Sequence, residues 1–378
     1  MRARPPAASE PLTWVLAGIF VLAIGVAVTR TSVLWGPTTF EHTRDMSRIA
    51  FAQTYQATRG IYAPAPASRR VVLLGNSRIH LGARPHALEA ELAGLGGANL
   101  QVENLGIFGA GLGDQEMLSR HLGRLEHRLV VLTLGVSDLL DTPALPLAGV
   151  PSRLLAIGWS DGPLGPDDMA VRTDRWARTL WPLYRFREFV RAALVDRVGD
   201  GSFPEGDGFP AEFPTTRDLF RYMYGARGDA VEASYQSWSR APTLPGFVAY
   251  LEATGGGQLD LVRQRVRATA VLDEASRGAR VLDVLLGRLA GLPGERLVVI
   301  LPENPLLASD TAGEFHVPGS SDAAVALIRG SAARHGIAVV DGRRWLGAHD
   351  FLDFDHPIPY RTQFLRPLAE EVVHALDS

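Results

Sequence analysis

A doubly wound α/β fold around five parallel strands is what this sequence of 378 residues predicts, and three features predict it. Short aliphatic runs such as "VVLL" (71–74), "RLVVLTL" (128–134) and "RLVVILP" (296–302) lack polar alternation, the pattern of strands buried on both faces. Helical stretches separate these runs, so strands and helices alternate along the chain. A hydrophobic content of 46 % suffices for one large core with insertions.

The elements follow in order. Near the N-terminus "PLTWVLAGIFVLAIGVAVT", Pro11 to Thr29, is uncharged and long enough to cross a bilayer as a helix, so a transmembrane anchor is expected within residues 1–30. Arg2 and Arg4 precede it with only Glu10 against them, which by the positive-inside rule puts the tail in the cytoplasm and the rest outside; Arg30, just after the run, works against that orientation. A cleaved signal peptide is the alternative, although the run is long for an h-region and no clear small-x-small site follows. Residues 31–69 read as a linker or lead-in ending in "IYAPAPASRR", whose Pro/Ala alternation favours an extended chain. From Arg70 the pattern gives strand 71–74, helix 84–95, strand 100–105, helix 113–126 and strand 128–134. Residues 142–258 break the rhythm with Pro- and Gly-rich stretches, several tryptophans and a helical piece at 172–198, and are read as an insertion after strand three. A long amphipathic helix around 259–291, strand 296–302, helix 321–335, strand 337–342 and helix 361–376 complete the domain, 70–141 with 259–378, as a flavodoxin-like sheet.

Composition narrows the chemistry. A formal net charge of -3 with mixed signs gives no electrostatic case for a nucleic-acid partner. The chain has no cysteine, hence no disulfide, thiolate nucleophile or Cys-ligated zinc. It also has no lysine, which removes Schiff-base and Ser-Lys mechanisms.

In an open parallel sheet the loops at the carboxyl ends of the strands carry function. Strand one is followed by Gly75-Asn76-Ser77, where a serine hydroxyl faces the sheet edge and its N–H opens a helix. Strand two is followed by "ENLGIFGAGLGDQ", whose glycines let backbone N–H groups approach a ligand. Strand three leads into Gly135-Val136-Ser137-Asp138. Ahead of the last helix, "DFLDFDHP" places Asp353 three residues before His356, a spacing that lets the carboxylate fix the imidazole while the imidazole takes a proton from Ser77.

These four loops, in this order, resemble the four sequence blocks of the SGNH, or GDSL-like, hydrolase superfamily. The likeness covers roughly residues 70–140 and 296–376. It implies Ser77 as nucleophile, Asp353 and His356 as its partners, and Ser77 and Gly109 as oxyanion donors, with Gly106 as the other register for the glycine. The third block departs from the family's Gly-x-Asn-Asp: Ser137 stands in the oxyanion position of the asparagine, where its hydroxyl is shorter than the amide. Asn76, Gly106 and Asp138 are expected to support these groups. The resemblance further implies a membrane-anchored, extracytoplasmic serine esterase or O-acyltransferase that adds or removes O-acetyl groups on a cell-surface or exported polysaccharide, with a membrane acyl-donor protein as a possible partner and no cofactor. A non-catalytic carbohydrate-binding or assembly protein, and a soluble-type lipase or esterase that is merely anchored, are the other readings.

Rival sites are weaker. In the glycine-rich loop Asp114 stands where a dinucleotide fingerprint needs a small residue. His80 with His86, and His121 with His127, are six apart and do not share a helical face, so surface or capping roles are expected and no metal. His349, Asp350 and Asp355 crowd the Asp-His loop, which the single Asp–His pair explains more simply. Trp159, Trp176 and Trp181 with nearby arginines such as Arg172 and Arg175 are read as packing and solvated charge rather than a membrane face.

Overall fold

The computed structural model describes residues 10–30, 69–97, 99–107, 109–123, 125–140, 177, 181, 215–255, 257–269, 272–359 and 361–377. The chain divides into two compact units, Met1–Ala52 with Ser152–Phe209, and Gln53–Pro151 with Pro210–Ser378. In the first unit the N-terminal run forms helix α1, Glu10–Arg30. Its apolar side chains are exposed, Trp14 by 77 % and Phe20 by 66 %. Side chains are described over 12–27, about 24 Å of helix, and among the described residues no helix is long and apolar enough to cross a membrane. The expected span is therefore unsupported, although the helix itself forms. The expected helical piece at 172–198, with Trp159, Trp176, Arg172 and Arg175, lies outside the described residues apart from Ala177 and Trp181.

The second unit carries five parallel strands: β1 (Arg70–Leu74), β2 (Gln101–Asn104), β3 (Leu129–Leu134), β4 (Glu295–Ile300) and β5 (Ala338–Asp341). They are ordered β2-β1-β3-β4-β5, consistent with a flavodoxin-like sheet. Val71 pairs with Val102 on one side and Leu129 on the other. β1 is buried along its whole length, even at Arg70, whose guanidinium donates to the Glu126 carbonyl at 2.6 Å. Because the chain steps outward from β1 to β2 and then back across to β3, the order reverses between β1 and β3. At that switch point the loops after both strands diverge and leave a crevice.

Short helix α2 (Ser77–Gly82) and α3 (Pro85–Gly94) connect β1 to β2, α4 (Leu112–Leu122) connects β2 to β3, and α10 (Ser320–Arg334) connects β4 to β5. The last helix, α11 (Thr362–Asp377), packs on α3. Val71, Leu73, Val131 and Val299 share one core with Leu88 and Leu92 of α3 and Phe364 and Leu368 of α11. The alternate strand residues, Val72, Leu74, Val130, Leu132, Val298 and Ile300, are equally buried on the other face. α4 ends at Leu122, short of the expected 126, where Gly123 follows.

The single helix expected over 259–291 is instead two, α8 (Gly257–Thr269) and α9 (Arg277–Ala290). Ser276 breaks it: its Oγ accepts the Ala279 N–H at 3.3 Å and caps the new helix. Apolar periodicity continues on both sides, so the pattern alone hides the cap. α9 buries Val281, Leu282, Leu285, Leu286 and Leu289, a stripe that contributes about 1.5–3 kcal/mol per side chain.

The described end of the insertion forms α5 (Thr216–Tyr224), α6 (Gly228–Ser239) and α7 (Leu244–Thr254). Phe220, Tyr235, Trp238, Phe247 and Tyr250 pack ring to ring, Trp238 stacking on Tyr250 at 5.6 Å. Two polar tips leave this cluster in one direction. The Tyr235 hydroxyl donates to the His349 carbonyl at 2.7 Å and the Tyr250 hydroxyl to that of Leu352. These helices thereby hold the loop that carries Asp353.

Candidate active site

Asn76, extended at the end of the β1 turn, caps α2 by accepting the Arg78 N–H on Oδ1 at 3.0 Å, which makes Ser77 the first helical residue. Its half-buried hydroxyl lies 2.7 Å from His356 Nε2. His356 Nδ1 lies 2.8 Å from Asp353 Oδ2. The other oxygen of Asp353 accepts the N–H groups of Asp355 and His356, each at 2.8 Å. The loop is closed by the Leu352 N–H donating to the His356 carbonyl at 2.8 Å and by pairing of Phe351 with Pro357. Thus residues 279 positions apart in sequence, Ser77 and His356, form one hydrogen-bonded line with Asp353.

Burial opposes a charged imidazole here, but the Asp353 carboxylate, by charge and by hydrogen bond, outweighs it and holds His356 above the ordinary histidine range. The ring is 21 % exposed, so water reaches its edge. A general base must be neutral to accept a proton. For the serine esterase that the sequence blocks lead one to expect, turnover should rise with pH through an apparent pKa above the histidine value of about 6.5, and Asp353→Asn should move that midpoint down. A kcat/KM profile of the two proteins checks this; a midpoint that does not move in the variant overturns the role of Asp353.

The supporting residues converge on Asp138. Its carboxylate accepts from Asn76 Nδ2 at 2.9 Å, from the Gly135 N–H at 2.9 Å and from Arg78 NH2 at 2.5 Å. Arg78, 4 % exposed in its side chain, also donates to Asp355 at 3.1 Å. One guanidinium therefore ties the β1 loop to the β3 loop and to the Asp-His loop. Burial works against its charge, yet Asp138 and Asp355 together raise its pKa. A Cβ on Gly135 would fall 1.6 Å from Arg78 NH1, so a side chain there is incompatible with the guanidinium.

On the expected oxyanion side, the Ser77 N–H opens α2. The glycine-rich loop is tied alongside by Ile107 N–H donating to the Gly75 carbonyl at 3.2 Å. Within it the Gly106 N–H is already taken by Asn104 Oδ1 at 2.9 Å, whereas Gly109 adopts φ +66°, with open space where a side chain would stand. Of the two expected registers, Gly106 thus has its N–H committed to Asn104, and Gly109 fits the expected donor position better. Ser137 lies in the turn Val136–Leu139 and lines a neighbouring cavity; no described contact joins it to Ser77.

Sequence reasoning missed Arg78, Asn104 and the tyrosine clamp. Arg78 had a signal, a cation directly after the candidate nucleophile in a buried turn, but its two carboxylates are remote in sequence. Asn104 donates to the carbonyls of Ile79 and Ala83 at 2.9 and 2.7 Å, and so fixes α2. Asp355, set aside earlier, is the partner of Arg78. His80, read as a surface or capping residue, is buried, bonded to the Gly106 backbone, and pushed down to about 3 by burial and by Arg84. Among the described residues no group of three or more His, Asp or Glu side chains is arranged to hold a metal ion. No protein-family model matches the chain, and no curated protein is significantly similar to it.

Proposed function

We propose that this chain is an SGNH-type serine esterase or O-acyltransferase acting on acyl esters of a cell-surface or exported polysaccharide. The observation that carries the reading is the line from Ser77 Oγ to His356 Nε2, and from His356 Nδ1 to Asp353. In the first half-reaction the Ser77 O–H proton passes to His356 Nε2 as Oγ bonds to the acyl carbon. Asp353 steadies the imidazolium, and the N–H groups of Ser77 and Gly109 meet the developing oxyanion. The carbon–oxygen bond to the donor alcohol breaks and that alcohol leaves with the proton from His356. In the second half, water or a sugar hydroxyl gives its proton to His356, attacks the acyl carbon and returns Ser77 to its free form.

The exposed apolar side chains of α1, with Arg2 and Arg4 ahead of it, support attachment to the cytoplasmic membrane with the α/β unit on the extracytoplasmic side. The test of the chemistry is direct. Incubated with a fluorophosphonate, the full-length protein in detergent is expected to gain one adduct, located on Ser77 by peptide mass spectrometry, and heat-denatured protein none. A folded protein labelled elsewhere, or not at all, overturns the proposal.

A further inference from the structure

A cavity of about 110 Å³ lies beside the triad, lined by Arg78, Ser137 and Asp355 on one side. Arg78 and Asp355 are the sequence neighbours of Ser77 and His356. The loop after β4 forms another wall with Glu303 and Asn304. Asn304 is 2 % exposed; its Oδ1 accepts the Leu306 N–H at 3.1 Å, while its Nδ2 has no hydrogen-bond partner among the described residues. Asn304 lines the cavity, and a buried amide donor without an acceptor is rare in a native fold, so this residue marks a place for a ligand oxygen. Glu303, the preceding residue and also in the cavity wall, accepts from Ser321 Oγ at 2.5 Å and offers a carboxylate acceptor. Phe315 and Val262 add apolar wall.

The charges narrow the class. One guanidinium, already committed to Asp138 and Asp355, stands against the carboxylates of Asp355 and Glu303, which disfavours a phosphate, uronate or other anion. Adjacent donor and acceptor with an aromatic wall suit a neutral ring bearing hydroxyls. At about 30 Å³ for each water the cavity admits about four, so it takes one edge of a sugar ring. A second compartment of about 540 Å³ adjoins through Glu303, Ala308, His316 and Ser321, with room for further units.

Resting on the serine acyl-transfer reading, we propose that this cavity is the acceptor subsite and takes one edge of a neutral sugar ring of a glycan, with Asn304 donating to one hydroxyl and Glu303 accepting from another. A third hydroxyl of that ring loses its proton to His356 Nε2, and its oxygen bonds to the acyl carbon. The bond to Ser77 Oγ breaks and Oγ regains the proton.

The full-length protein in detergent is acylated with p-nitrophenyl acetate in the presence of the methyl glycosides of glucose, galactose, mannose or N-acetylglucosamine, with ethanol at equal hydroxyl concentration as the reference. At least one glycoside is expected to be acetylated about 10-fold or more over ethanol, as for a site built to pair a substrate hydroxyl. In Asn304→Leu, and in Ala308→Trp, which fills the half-buried rim shared by both compartments, that ratio is expected to fall to about 1, the ethanol level. The ratio is internal to each protein, so a partly folded variant still reports it. Release of p-nitrophenolate with no preference for any glycoside overturns the subsite, as does an unchanged ratio in either variant. No release from the wild type overturns the triad reading, and the subsite with it.

Discussion

Alanine in place of Ser77 is expected to lower acyl-ester turnover at least about 10⁴-fold, and His356→Ala by a similar factor, because a nucleophile and its base fail as a unit. The double variant is expected to be no worse than either single one. That non-additivity separates a triad from two residues that each assist binding. The folding cost is small, since Ser77 is half buried and its hydroxyl bonds the ring that the second change removes. Hydrolysis of p-nitrophenyl acetate by each variant, with circular dichroism to verify folding, measures the effect. Turnover retained within about 10-fold in Ser77→Ala overturns the assignment, and losses that multiply in the double variant overturn the coupling.

Arg78→Met is expected to cost about 3–5 kcal/mol of stability, the penalty of stranding a buried partner charge. Asp138, 8 % exposed in its side chain, would lose the Arg78 counter-charge, and Asp355 would lose its hold on the β1 loop. Turnover should fall as well, since the guanidinium sets the Ser77 loop against the His356 loop. Two further proteins separate the effects. Arg78→Lys keeps a charge but not the fork that serves two carboxylates, so it should recover stability more than turnover. The pair Arg78→Met with Asp138→Asn removes the stranded charge and should regain stability without regaining kcat. Urea unfolding and kcat against KM for the three proteins give the readout; a fully active Arg78→Met protein overturns the positioning role.

How much of this was legible in the chain differs from element to element. The strands were read within one or two residues because their aliphatic runs lack alternation, a signal that needs no tertiary information. Ser77, Asp353 and His356 were legible through loop position and local spacing. The break between α8 and α9 was not, because one serine cap outweighed a periodicity that continues on both sides of it. The role of α5–α7 was hidden too, since aromatic residues in an irregular stretch do not reveal that two tyrosine hydroxyls reach the carbonyls of His349 and Leu352.

By itself, then, the sequence determined the alternation of strand and helix, the parallel sheet and the loops on which a serine, a histidine and an aspartate stand, all of them consequences of periodicity and short-range spacing. Only the tertiary structure decided that Ser77 and His356 lie within hydrogen-bond reach and that Arg78 joins Asp138 to Asp355. The physical reason is that a buried charge or a shared proton is defined by its partners. Those partners come from loops the fold brings to one edge of the sheet, at separations over which the chain's local pattern carries no information.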